Sequence, residues 1–315
     1  MSNFASLTRM RIRLALRNKM FFFFSIVMPF IFFFGYLGFF GKSVPAGAAY
    51  FLGPVLALNV MGSFWGLSST IVMFREQGVL RRFHVSPVTA GDMLAASVFA
   101  NFALTLPTVI FELLLAWLIF HVNTLDNLLG IFVMVAVGTV SFACLGLVIA
   151  SITNTMQETQ VLNQLIWLPL IFLSGATFPL AYLPRVVQRV GLFLPATYLV
   201  NAFQQVIVNS ATVLSRYAEI ASLVFWAILT FFLSMQLFRW EPEVKIPRRA
   251  KLFVLGTAIP FLLLGIWENR TDRILRESQT SFAAFQTALD SLRPAGRMYT
   301  QPLPGGANSA NKSSK

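Results

Sequence analysis

The sequence predicts an all-α membrane protein with six transmembrane helices. Two observations carry that reading. Hydrophobic residues make up 57% of the 315 and charged residues only 11%, whereas a soluble domain carries roughly 25% charged residues. A chain this poor in charge could not cover a water-facing surface. The apolar residues also come in long uninterrupted runs, which hold most of the 33 phenylalanines.

A helix that crosses the ~30 Å hydrocarbon core needs about 20 mostly apolar residues. Six runs meet that requirement: residues 20–40, 50–74, 95–120, 128–152, 161–180 and 218–238. A seventh, 252–267, has 16 uncharged residues and would reach about 24 Å as a helix. It either crosses with snorkelling flanks or lies in the interface. These runs divide the chain into an N-terminal helix (1–19), a six-span body (20–240), a basic linker with the seventh run (241–267) and a polar tail (268–315).

The N-terminal stretch reads as an amphipathic helix. Phe4, Leu7, Met10 and Leu14 share one face, Arg9, Arg13 and Arg17 fall opposite, and Arg11 intrudes on the apolar side. Such a helix lies flat on a membrane with its arginines toward anionic headgroups. The alternative is a plain topogenic charge cluster. Ala46-Gly-Ala48 resembles a signal-peptide cleavage site. Signal-peptide cores are about 7–15 residues, shorter than the run at 20–40, so the first run is expected to remain as a span.

Between the second and third runs lies Phe74-Arg-Glu-Gln-Gly-Val-Leu-Arg-Arg-Phe-His-Val-Ser-Pro87. Val79, Leu80 and Phe83 share one side of a short helix, while Arg75, Glu76, Arg81 and Arg82 supply charge. Pro87 breaks the chain. Thr89 and Asp92 have the spacing of a capping box that opens the third span. A short charged helix joined to two spans can pass motion from a soluble partner into the membrane; the alternative is an ordinary basic loop.

After the fifth run, Ser174, Gly175 and Pro179 lead to Pro184, which can start a helix. Val186, Val187, Val190 and Phe193 make one face of it, Arg185, Gln188 and Arg189 the other, and Pro195 closes it. This element is too short to cross and reads as an interfacial or re-entrant helix on the outer side.

The net charge is +12. The Lys and Arg residues sit at the ends of apolar runs, where they set orientation, so nucleic acid is not an expected partner. With the N-terminus inside, the inner loops hold thirteen Lys or Arg and the outer loops four. The N-terminus is therefore expected in the cytoplasm. The tail after Trp267 carries seven Lys or Arg, yet a seventh crossing would place it outside; both routes stay open. From Pro302 onward the composition is that of a disordered segment.

Few residues suggest chemistry. The single cysteine, Cys144, lies in an apolar run and reads as a packing residue, with no disulfide or metal cluster possible from it. Glu112 is the one acid well inside a run, where a charge costs roughly 2.5–3.5 kcal/mol on insertion scales. It faces either a water-filled path or a hydrogen-bonding neighbour. Asn101, Asn154, Asn163, Gln164 and Glu158 read as interhelical hydrogen-bonding groups. Gly62 and Gly66 allow close helix packing. Gly41-Lys42-Ser43 lacks the earlier glycine of a phosphate-binding loop, since Tyr36 stands there. His84 and His121 have no partners at ligand spacing. No catalytic residue, cofactor or metal is expected on this chain.

The stretch Arg75 to Pro87, together with Leu173-Ser-Gly-Ala-Thr-Phe-Pro179 and Leu194-Pro-Ala-Thr-Tyr198, resembles the membrane subunit of an ABC exporter of the type-2 permease family. The resemblance covers about residues 4–238; the residues after Trp240 lie outside the usual pattern. It implies a bacterial cytoplasmic membrane protein that pairs with a second copy or homologue and with a separate ABC ATPase subunit that holds the ATP. It also implies that Arg75, Glu76, Val79, Leu80, Arg81, Arg82 and Phe83 form a coupling helix. By the same resemblance, Ser174, Gly175, Pro179, Pro184 and Pro195 shape an outer re-entrant segment, and the substrate stays open. Two other classes remain: an ion-driven secondary transporter, which often shows internal repeats and intramembrane charges, and a membrane-embedded lipid-modifying enzyme, which needs converging polar groups.

Overall fold

The computed structural model describes residues 2–17, 27, 30–31, 33–35, 45–84, 89–122, 127–238, 240, 256 and 259–291. Most of the first run, Pro87, the linker at 241–255 and the tail beyond 291 lie outside the described residues, as do the side chains of Arg82 and Phe83. Among the described residues every regular element is a helix.

In helix α1 (Ser2–Arg17) Leu7 and Thr8 are buried and Arg9, Arg13 and Arg17 exposed, but Leu14, expected on the apolar face, is exposed as well. Arg11 is buried too. Its guanidinium lies 4.9 Å over the Phe74 ring, a cation–π contact of about 0.5–2 kcal/mol that explains a cation on the apolar face. Burial pulls its pKa down to about 10.

The second run is two helices, α2 (Pro45–Met61) and α3 (Ser63–Glu76), separated by Gly62. The short α4 (Val79–His84) comes next. Then come α5 (Ala90–Phe120) and α6 (Leu128–Ile152). The capping box of α5 is present: Asp92 N donates to Thr89 Oγ1 at 3.1 Å and Thr89 Oγ1 donates to Asp92 Oδ2 at 2.7 Å. Helix α7 (Met156–Leu173) precedes two shorter helices, α8 (Arg185–Gly191) and α9 (Pro195–Val208). Helix α10 (Tyr217–Leu237), α11 (Ile259–Thr271) and α12 (Arg273–Ser291) complete the described chain.

Four segments among the described residues are long and apolar enough to cross a membrane: 47–76, 90–120, 128–152 and 213–237. A fifth arises if α8 and α9, bent by 96°, count as one broken span. The expected fifth span at 161–180 differs: its helix α7 starts earlier, ends at Leu173 and is not among the four. Gln157, Glu158, Gln160 and Gln164 dilute its hydropathy. Pro195 also has another role than expected. It opens α9 rather than closing the preceding helix, which ends at Gly191.

Helix α6 is the centre of the bundle, packing against α10, α3, α5, α2 and α9. A Cβ on Gly146 would stand 2.5 Å from Phe64 O, so glycine there permits the close approach of α3 to α6. Outward, α5 shows Ile110, Phe111, Leu114 and Leu118, and α10 shows Phe225, Ile228 and Phe232. Such rows suit acyl chains.

The bundle has two distinct ends. One holds α1, α4, the start of α5 and the end of α10, where Met235 Cε comes 3.1 Å from the Cβ position of Gly91. The other holds Tyr50 at the start of α2, with α12 against it.

Candidate functional site

The loop at the α4 end is built on two adjacent charges. Arg75 ends α3 and is 1% exposed. Its Nη1 donates to Ala150 O at 2.8 Å and to Thr153 O at 2.9 Å. Those carbonyls belong to the C-terminus of α6, where four acceptors lack helical donors and the dipole favours a cation. Glu76 is exposed, and its Oε1 accepts from Met156 N at 2.8 Å. Met156 begins α7, where unpaired N–H groups and the dipole favour an anion. The two neighbours therefore clamp opposite helix ends of one turn, residues 153–155. A third tie links α3 to α7: Asn163 Nδ2 donates to Ser68 Oγ at 2.9 Å, both buried.

Helix α4 hangs from this junction through Gln77 and Gly78. Arg75 and Glu76 thus belong to α3, and the helix itself starts at Val79, a correction to the expected single coupling element. Leu80 is 0% exposed, packed with Ile71, Val72 and Met93. It holds α4 to the bundle and cannot serve as an anchor for a partner. Val79 is half-buried and Arg81 exposed.

Glu112 lies in the C-terminal half of α5, two turns before its end, and is 0% exposed. Its Oε2 accepts from Asn59 Nδ2 of α2 at 3.2 Å, and its Oε1 has no hydrogen-bond partner among the described residues. It faces protein, as the insertion cost requires. Asn154 and Glu158 do not bridge spans: Glu158 Oε2 accepts from Asn154 N at 2.7 Å, a local cap at the start of α7. Gln164 is exposed.

At the Tyr50 end, Ser174 and Gly175 are buried, Gly175 with φ +89, and Pro184 caps α8. Gln188, expected on a polar face, is buried and donates from Nε2 to Leu183 O at 2.8 Å. A cluster that the sequence did not reveal lies beside this segment. It joins Arg216 and Glu219 of the α10 start, Asn201 of α9, Glu268 of α11, and Arg273 and Glu277 of α12. The available signal was the interleaving of Glu268 and Glu277 with Arg273 next to an apolar run.

The ABC-2 type transporter family matches residues 2–208. Among characterised relatives, nodulation protein J of Rhizobium leguminosarum bv. trifolii is 28% identical over 106 residues, 34% of this chain and 40% of that protein. The linearmycin resistance permease protein LnrN of Bacillus subtilis (strain 168) is 24% identical over 182 residues, 58% of this chain and 47% of that protein. The inner membrane transport permease YhhJ of Escherichia coli (strain K12) is 25% identical over 146 residues, 45% of this chain and 38% of that protein. The chain therefore spans less than half the length of each of these relatives.

Proposed function

The chain belongs to the ABC-2 type transporter family, and from that premise we propose that it is the membrane subunit of an ATP-driven exporter, in which a separate ATPase subunit docks at the α4 end. The junction at Arg75 and Glu76 carries this reading. A force applied to α4 reaches α3 by chain connection, α6 through Arg75, and α7 through Glu76. The lever is short, charged and tied to three helices of the bundle. The excess of Lys and Arg in the expected inner loops, thirteen against four, supports a cytoplasmic position for this end. The resistance in the name of the relative LnrN supports export as the direction.

A second copy or homologue completes the path. Helix α7 exposes Gln160 and Gln164 beside Val161 and Leu165, and amides set among exposed apolar side chains are better met by protein or water than by acyl chains. That face suits the subunit interface.

The test is purification from membranes. An ATPase subunit should co-purify with the full chain, and Phe83→Ala within α4 should reduce its recovery several-fold more than Arg82→Ala, because buried aromatics carry interface energy while rim charges mostly steer. Recovery unchanged by Phe83→Ala, or activity with no ATPase at all, would sink the docking surface. The second result would favour an ion-driven transporter or a lipid-modifying enzyme.

A further inference from the structure

The course of the chain after α10 is readable from its contacts. Helix α10 starts at the Tyr50 end, beside Arg216 and Glu219, and finishes at the α4 end, with Met235 against Gly91. Helix α11 returns along it. Phe261 packs edge-on to Trp226, near the middle of α10, with ring centroids 5.1 Å apart. Further along, Asn269 Nδ2 donates to Arg189 O of α8 at 3.3 Å. Helix α12 then lies across the Tyr50 end. Phe285 stacks on Tyr50 with centroids 5.2 Å apart, and Phe282 meets Tyr182 edge-on at 4.6 Å. Tyr50 and Arg75 are separated by about 37 Å of nearly continuous helix, more than the ~30 Å hydrocarbon core. Helix α1 sits at the Arg75 end through Arg11 and Phe74.

The α12 attachment is ionic as well as aromatic. Arg273 Nη1 meets Glu219 Oε1 at 3.0 Å and its Nη2 meets Glu268 Oε1 at 2.7 Å. Arg216 Nη1 meets Glu277 Oε2 at 2.8 Å, and Asn201 Nδ2 donates to the same oxygen at 2.8 Å. Glu219 and Glu268 are fully buried, so these contacts are poorly screened. Beneath α12 lies a small recess of about 10 Å³, lined by Ser174, Leu180, Asn201 and Gln204 and, from α12, by Ile274 and Ser278. That is room for about one water.

We propose that the chain crosses the membrane between the end of α10 and α12, and that α12 is a lid over the mouth of the re-entrant segment, on the face opposite α1, latched by Arg273 and Arg216. The lid's role in export rests on the exporter reading; its placement does not. The count of Lys and Arg in the tail opposes this placement, and what offsets it here is the pairing of Arg273 with Glu219 and Glu268. In the latch three carboxylates share two guanidinium groups, so loss of Arg273 leaves Glu219 and Glu268 facing one another and loosens the start of α12, which Arg216 and the aromatic contacts still hold.

Single cysteines in a Cys144→Ala background test both parts with a membrane-impermeant maleimide on intact and permeabilised cells. Arg13→Cys and Gln286→Cys, both at exposed positions, should label on opposite faces, with Gln286→Cys reactive in intact cells. If Arg13→Cys alone reacts in intact cells, the cytoplasmic N-terminus falls and the crossing stands. Labelling of both from the same face overturns the crossing. For the lid, Ser278→Cys should react at least about tenfold more slowly than Gln286→Cys, as a buried position does. Arg273→Gln should raise the Ser278→Cys rate several-fold, Arg273→Lys should not, and the Gln286→Cys rate should hold in each. Phe282→Ala, which leaves the ion pairs intact, should also raise it. A fast Ser278→Cys in the parent, or no response to either Arg273→Gln or Phe282→Ala, overturns the lid.

Discussion

Arg75 and Glu76 are neighbours with opposite exposures, and their substitutions should separate stability from transmission. Arg75→Met removes the donor from Ala150 O and Thr153 O. Each buried acceptor left unsatisfied costs about 1–3 kcal/mol, so this variant should show a lower yield and a melting temperature in detergent reduced by several degrees. Glu76→Ala removes only an exposed cap from Met156 N, about 1 kcal/mol. It should fold and bind the ATPase but transport less per ATP hydrolysed. If Arg75→Met melts like the parent, the clamp is not structural. Glu112→Gln keeps shape and the Asn59 contact while removing charge. It should assemble normally and change transport; failure to insert would make Glu112 a packing residue. The sequence showed all three as charges but not their partners. An arginine capping a distant helix and one facing solvent read alike, because the acceptors are backbone carbonyls that carry no sequence signature.

At the scale of elements, Gly78 sets the angle of α4. Its φ is +68, a left-handed conformation that costs most residues about 1–2 kcal/mol and asparagine less. Gly78→Val should therefore lower ATPase co-purification while Gly78→Asn largely preserves it; equal losses from both would mean that the side chain, not the backbone angle, matters. This turn was not legible, since Arg75 to Phe83 read as one helix, whereas the capping box at Thr89 was. Helix α6 coincides with its predicted run, and α10 is displaced by one residue, because unbroken apolar stretches leave no choice of period. Helix α7 was legible only from Val161 onward, its first turns and its end at Leu173 being missed, and α9 was not legible. Gln160 and Gln164 lower the hydropathy of α7, and Asn201, Gln204 and Gln205 interrupt α9 although every residue from 195 to 206 is buried. What makes those amides burial-compatible is Ser281, Glu219 and Glu277. Two of these partners lie in α12, some 75 residues later, so no local window contains the reason.

For the whole molecule the decisive asymmetry is between faces of the bundle. Helices α5 and α10 turn apolar rows outward, which lipid satisfies without a partner. Helix α7 turns out Gln160 and Gln164 among Val161, Leu165 and Leu168. In lipid those amides would lack hydrogen bonds, whereas across an axis between two copies each can meet its equivalent or water in the path. This predicts a paired assembly in which α7 faces α7. Gln164→Cys in a Cys144→Ala background should be cross-linked by a short bismaleimide in native membranes, giving a species at twice the 35.1 kDa of the chain. Ile228→Cys on α10, exposed but apolar on all sides, should remain monomeric under the same treatment. The contrast also separates a specific interface from crowding, since random collisions would link both positions. A dimer through Ile228→Cys with none through Gln164→Cys would move the interface to α10 and leave the exposed amides of α7 to a different partner.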